Sequence, residues 1–147
     1  MESATPSRDT AWAMSQENVE VVHRVFDSIN RGDVDGALEA AADDIEMDWS
    51  NSIGPAKGIY RGIEQVRKVW TSFVEAFDEL RWDPREIIEV DECRVIVVNH
   101  VWMRGRGSGV EVDAVGAQLW TISEGKGRIV KLYQSKADAL EAAGLRE

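Results

Sequence analysis

Hydrophobic positions near the start of the chain recur at helical spacing. Val19, Val22, Phe26 and Ile29 lie three, four and three residues apart, and Val21 and Val25 widen that face. The pattern predicts an amphipathic helix capped by Ser15 and stopped at Gly32. Asp33 opens a shorter helix through Ala37, Leu38 and Ala41. The period then falls to two, since Ile45, Met47 and Trp49 alternate with Glu46 and Asp48, which predicts a strand. Positions 51–61 read as loop, marked by Gly54-Pro55 and Gly58. Ile63, Val66, Trp70, Phe73 and Phe77 repeat at spacings of 3, 4, 3 and 4, predicting a third helix that begins near Gly62.

The remainder is β-rich, with strands expected at 82–90, 94–104, 110–123 and 128–134. Pro84 marks an edge or a bulge. The glycine-spaced stretch 105–109 reads as a hairpin turn, because a strand rather than a helix follows it. Ser135 and Asp138 fit the capping box of a short final helix that ends at Gly144. The element order is α-α-β-α-β-β-β-β-α. Strands joined by short turns make an antiparallel meander, and the early helices must cover one face of it. The expected fold class is α+β: a curved antiparallel sheet covered by three N-terminal helices, with a short C-terminal helix. Such a sheet leaves a concavity suited to a small molecule.

Composition narrows the partners. The chain has 147 residues, enough for one domain. Residues 1–14 are polar, and Met14 precedes the Ser15 cap, so 1–14 is expected to be a disordered extension and 15–147 the domain. A net charge of −10 argues against nucleic acid as a partner. No apolar run reaches membrane-spanning length and 1–14 holds no signal-peptide core, so no membrane partner and a cytoplasmic location are expected. The single Cys93 excludes an internal disulfide. His23 and His100 have no metal-ligand spacing, and neither metal nor cofactor is expected. The six Trp residues are the strongest compositional feature, each combining a large apolar area with one N–H that needs a partner.

Six stretches carry a resemblance: Ser15-Gln-Glu-Asn-Val19, Asn30-Arg-Gly-Asp33, Gly58-Ile-Tyr-Arg-Gly62, Gly107-Ser-Gly-Val-Glu-Val112, Ala117-Gln-Leu-Trp-Thr121 and Ala139-Leu-Glu-Ala-Ala-Gly-Leu145. In this order they resemble the SnoaL-like family (polyketide cyclase-like) of the nuclear-transport-factor-2-like, ketosteroid-isomerase-like superfamily. The resemblance implies a cone-shaped roll with a pocket. It leaves the reaction open, since the superfamily holds cyclases, isomerases, dehydratases, epoxide hydrolases and non-catalytic domains. Aligned through Gly32-Asp33, Asp43-Asp44 and Gly127, the steroid isomerases' tyrosine, base and second acid fall on Val25, Trp49 and Gln118. The phenol and the base are therefore missing, while Gln118 can still donate a hydrogen bond to an oxyanion. The Arg-x-Asp of limonene-type epoxide hydrolases has no counterpart in Asn99-His100-Val101-Trp102, and their last-strand Asp falls on Gln134.

Polyketide cyclases act through an acid and a histidine. Here His100 is the strand histidine, and Trp102 shares its face. His100 is thus the candidate general base, provided that Val97, Asn99 and Val101 do not take the pocket side. The catalytic candidates are His100 and Gln118. The ligand-binding candidates are Trp49, Tyr60 at the rim, Trp102, Gln118 and Trp120, with core packing as the other reading of the tryptophans. The expected function is binding of a small apolar, carbonyl-bearing metabolite, with isomerase, cyclase or dehydratase chemistry by proton transfer. The alternative is a non-catalytic ligand-binding or dimerisation domain. Apolar area on the open sheet face predicts a homodimer.

Overall fold

No Gly or Pro lies between Pro6 and Gly32, and one continuous helix, α1 (Arg8–Asn30), runs through that segment. The computed structural model describes residues 8–52 and 57–145, with side-chain surroundings from Gln16 onward. Helix α1 therefore starts before the expected Ser15 cap and takes in residues 8–14 of the stretch expected to be disordered. Residues 1–7 of that stretch lie outside the described residues. At its other end Gly32 adopts φ +76°, and its N–H bonds to the Ile29 carbonyl at 2.9 Å. Glycine pays little for that left-handed conformation, so the helix stops where its sequence stops it.

Helix α2 (Val34–Leu38) is capped by Asp33, whose Oδ1 accepts from Gly36 N at 2.9 Å. It is shorter than its apolar spacing suggested, and Ala41 instead opens β1 (Ala41–Asp48). Part of the expected loop pairs with β1 as β2 (Ile59–Arg61). Helix α3 (Ile63–Glu75) buries Val66 and Trp70. Phe77, which fits the α3 periodicity, is the first residue of β3 (Phe77–Glu89). Its ring still packs on Phe73, 5.1 Å between centroids, so one apolar pattern continues across the change of element. The strands β4 (Arg94–Gly105), β5 (Glu111–Ser123) and β6 (Lys126–Tyr133) and the helix α4 (Lys136–Ala142) complete the chain.

The six strands form one sheet in the order β2-β1-β6-β5-β4-β3. The fold is α+β, a curved sheet with helices, as expected. One pairing departs from the antiparallel expectation: β1 and β6 run parallel, with Met47 opposite Val130. A parallel pair needs a long crossover, and everything from β2 to β5 supplies it. Pro84 lies on edge strand β3 at a register shift between Pro84 and Glu86. The inner sheet face buries Val95, Val97, Trp120 and Ile122 against Phe26 and Trp70 of the helices. On the outer face, Ile96 and Ala117 pack under Ala139 and Leu140 of α4. That helix is held by Ser135 Oγ, which accepts from Asp138 N at 3.1 Å. Among the described residues, no helix is long and apolar enough to cross a membrane.

Candidate functional site

Strand alternation decides what enters the cone. On β5, Gln118, Trp120 and Ile122 point inward and are buried. On β1, Ile45 and Met47 point inward, and Trp49 continues their phase just beyond the strand. On β4 the inward set is Val95, Val97, Asn99 and Val101, because Val97 pairs with Gln118 and Val101 with Trp82.

Aromatic rings fill most of this space. Trp82 is stacked between Phe26 (5.7 Å) and Trp49 (6.2 Å). Trp49 meets Trp70 edge-on at 5.4 Å, and Phe26 meets Trp120 at 5.6 Å. The cavity left among them is about 40 Å³, lined by Met47, Trp49, Trp70, Gln118 and Trp120 together with aliphatic groups of α1 and α2. Each water needs about 10–15 Å³ measured this way, so the chamber has room for a few waters. No ionisable side chain is among the described residues that line it.

The polar atoms inside are few and poorly matched. Gln118 is 2% exposed, and its Oε1 accepts from Trp120 Nε1 at 2.8 Å. Among the described residues, Trp49 Nε1, Trp82 Nε1 and Asn99 Oδ1 are buried with no hydrogen-bond partner. Burial without a partner costs about 1–3 kcal/mol for each such group. Of the three residues, Trp49 lines the cavity and Trp82 and Asn99 do not; a buried group of this kind calls for a partner such as an ordered water or a bound molecule.

The expected site residues separate into two groups. Trp49, Gln118 and Trp120 meet at the cavity. Tyr60, on β2, is half-buried against the core edge and lines a surface groove with Phe73 and Phe77. His100 and Trp102 lie on the outer face, because Val95 and Val97 take the inner one. The His100 ring is held at both nitrogens: Nδ1 is 3.2 Å from Arg85 Nη2, and Nε2 is 2.5 Å from Asp113 Oδ1. Arginine can only donate, so Nδ1 accepts and Nε2–H donates to the carboxylate. No lone pair is left for a base, and the ring faces away from the cone. Trp102 instead lies under the Arg104 guanidinium, 5.9 Å from its ring centroid.

Asn99 and Trp82 were not among the expected site residues. Their signal was present in the alternation: an Asn at an inward position between Val97 and Val101 is a buried polar group wherever Val95 and Val97 are core.

Two carboxylates outside the cone are shifted. Burial by itself pushes the Asp48 carboxyl up, but hydrogen bonds from Ser50 Oγ (2.6 Å) and N (2.9 Å), with the Lys131 and Arg61 charges, more than offset it. Asp48 therefore sits below the ordinary carboxylate range. Asp91 behaves alike: burial pushes it up, and the Cys93 and Arg94 N–H groups and the Arg94 guanidinium bring it below that range. Among the described residues, no group of three or more His, Cys, Asp or Glu is placed to hold a metal ion.

The sequence profile of the SnoaL-like domain matches residues 22–132. No curated protein matches the chain. Among solved structures, TerC co-crystallised with polyporic acid is 19% identical with a TM-score of 0.70, covering 87% of this chain and 98% of that one. SalBIII, described as an epoxide hydrolase/cyclase-like enzyme in pyran ring formation in the polyether salinomycin, is 23% identical with a TM-score of 0.70, covering 84% and 95%. A Mycobacterium tuberculosis protein in complex with estradiol-17β-hemisuccinate is 15% identical with a TM-score of 0.70, covering 82% and 95%. At these identities the likeness is one of fold.

Proposed function

This chain belongs to the SnoaL-like domain family, and from that premise we propose that it binds a small, mostly apolar, uncharged, carbonyl-bearing metabolite inside the cone. The observation that carries this reading is the buried, unpartnered Trp49 Nε1 beside Gln118 in an otherwise apolar aromatic chamber. Structural neighbours that hold polyporic acid or an estradiol hemisuccinate support a mostly apolar, carbonyl-bearing ligand. The chamber is smaller than ligands of that size, so binding requires the tryptophan rings to move apart.

Of the two functional classes, binding without chemistry is favoured. Proton transfer needs a base within hydrogen-bond reach of the reacting atom. The described lining holds no ionisable group, and His100 is turned outward with both nitrogens engaged.

Acetophenone, an apolar ketone, tests the reading when titrated against tryptophan fluorescence. Saturable binding is expected. The double variant Gln118→Leu/Trp120→Phe removes both partners of a buried hydrogen bond, a change that is often near neutral for stability. It should weaken binding about tenfold if Gln118 holds the carbonyl, as one net hydrogen bond does. A flat titration of the wild-type protein overturns the reading.

The same proposal includes a cytoplasmic homodimer formed through the outer sheet face. Val115, 64% exposed on that face, supports it. Val115→Glu should then shift a dimer to monomer in sedimentation velocity.

A further inference from the structure

Helix α3 carries two stripes. Val66 and Trp70 form the buried one and line the cone chamber. Gln65, Lys68, Val69, Ser72 and Phe73 form the other, at positions i, i+3, i+4, i+7 and i+8, which share one face of a helix. This second stripe lines a surface groove of about 500 Å³ together with Tyr60 of β2 and Phe77 of β3. That volume falls in the range of small-molecule sites, about 300–1,000 Å³. The cone chamber, at about 40 Å³, falls well below it. No described residue lines both spaces. Phe73 stands between them: it lines the groove and meets Trp49 and Trp70 of the chamber edge-on, at 5.8 and 5.6 Å between centroids.

The groove pairs an apolar wall with one charge. Tyr60, Val69, Phe73 and Phe77 are each half-buried there, so each keeps apolar area in water that a ligand can cover. Lys68 is the charged residue among the described lining, and it makes no hydrogen bond or ion pair with another described residue. Glu64, one turn before it, is 3.8 Å from Arg67, and Asp78, next to Phe77, is 3.4 Å from Arg106. An unpaired cation beside exposed aromatic rings, on a chain of net charge −10, is a local reversal of the molecule's field. Salt screens the distant carboxylates beyond about 8 Å, so the local cation decides which head group the groove prefers.

We propose that this groove is a second binding site, separate from the cone, and that its ligand is an amphiphilic carboxylate. The carboxylate pairs with the Lys68 ammonium, and an apolar body lies along Val69, Phe73 and Phe77. The α3 wall from Lys68 to Ala76 rises about 12 Å at about 1.5 Å per residue, long enough for an aryl ring, a short alkyl chain and a carboxyl group. A charged head at this open rim stays partly hydrated, whereas in the chamber it would be buried beside no described counter-charge. The two sites therefore differ in the charge of the ligand they accept.

The test uses one body with three head groups: hydrocinnamate, phenylpropanol and phenylpropylamine, titrated calorimetrically at pH 7 against the full-length protein. Hydrocinnamate should bind about threefold more tightly than the alcohol, the size of an exposed ion pair, and the amine should bind most weakly. In ¹⁵N-labelled protein hydrocinnamate should shift the amide resonances of Lys68, Ser72 and Phe77. Lys68→Glu, at an exposed position, should reverse the order of carboxylate and amine. Ser72→Trp, also at an exposed position, fills the groove and should abolish hydrocinnamate binding. Acetophenone affinity should be unchanged in both variants.

Equal affinities for the three probes overturn this inference, as does an order that Lys68→Glu leaves unaltered or an absence of hydrocinnamate binding. Displacement of hydrocinnamate by acetophenone, with shifts at Gln118 and Trp120 in place of the groove amides, also overturns it by moving the carboxylate into the cone. Each of these outcomes leaves cone binding of a neutral ligand standing. A flat acetophenone titration alongside hydrocinnamate bound at Lys68 removes the cone reading alone.

Discussion

The side chain of Asn30 makes both hydrogen bonds with the backbone of Trp82: Nδ2 donates to its carbonyl at 2.9 Å, and Oδ1 accepts from its N–H at 2.8 Å. Trp82 lies on β3, an edge strand, and an edge exposes backbone groups that would otherwise recruit another strand. The last residue of α1 thus acts as a one-residue neighbour for β3 and fixes the Trp82 ring over the cone. Asn30→Ala should destabilise the fold by about 1–3 kcal/mol, since two part-buried backbone groups lose their partners. Asn30→Asp keeps the acceptor and loses the donor, and should fall between. Urea denaturation with an unchanged m-value checks both.

The β5–β6 hairpin turns through Glu124 and Gly125, with φ of 55° and 72°. Two positive φ values in a two-residue loop favour Asn-Gly over Glu-Gly. Glu124→Asn should stabilise the protein by about 0.5–1 kcal/mol, because Asn tolerates the left-handed region better than Glu. The ion pair it removes, Arg128 Nη2 to Glu124 Oε2 at 3.3 Å, has a largely exposed carboxylate and offsets little of this gain. A higher thermal midpoint is the readout.

Asp48 and Asp91 make acid stability predictable in sign. Both carboxyls titrate lower in the folded state than in the unfolded chain, where an aspartate titrates near about 3.9. Their contribution is therefore fully present above the unfolded value and lost as pH falls through the lower folded one. Asp48→Asn and Asp91→Asn should each lower stability at pH 7 and flatten the loss of stability below about pH 4. Parallel urea melts at neutral and acid pH measure the slope. An acid limb as steep as wild type in both variants contradicts the assignment.

His100 supplies a control on the site. It sits between Arg85 and Asp113 on the outer face, so His100→Ala should leave acetophenone affinity within about twofold and cost no more than about 1 kcal/mol of stability. A tenfold loss of affinity with the fold intact would return this imidazole to the ligand site.

Much of this architecture is local and therefore legible in the residues. The 3-4-3 spacing of α1 and α3, the Ser135–Asp138 cap and the alternation placing Trp49, Gln118 and Trp120 on inward faces all depend on neighbours a few positions away. Two boundaries were not legible. Helix α1 reaches back to Arg8 because nothing after Pro6 breaks it, and a polar composition does not by itself prevent a helix. Phe77 fits both α3 and β3, since either placement lets it pack on Phe73.

The candidate site turned on a choice the sequence by itself did not contain. Period two determines that His100 and Trp102 share one face of β4 and that Val97, Asn99 and Val101 share the other. It does not say which face is the cone, because here both are buried at the base of the strand: Val95, Ile96 and Val97 are each 0% exposed. The inner face is sealed by α1 and α3 and the outer by α4, so hydrophobicity carries no phase along that strand. Only the tertiary pairing of Val97 with Gln118 and of Val101 with Trp82 sets the phase. It turns the histidine out and the asparagine in, and so replaces a base with a hydrogen-bond acceptor on the inner face.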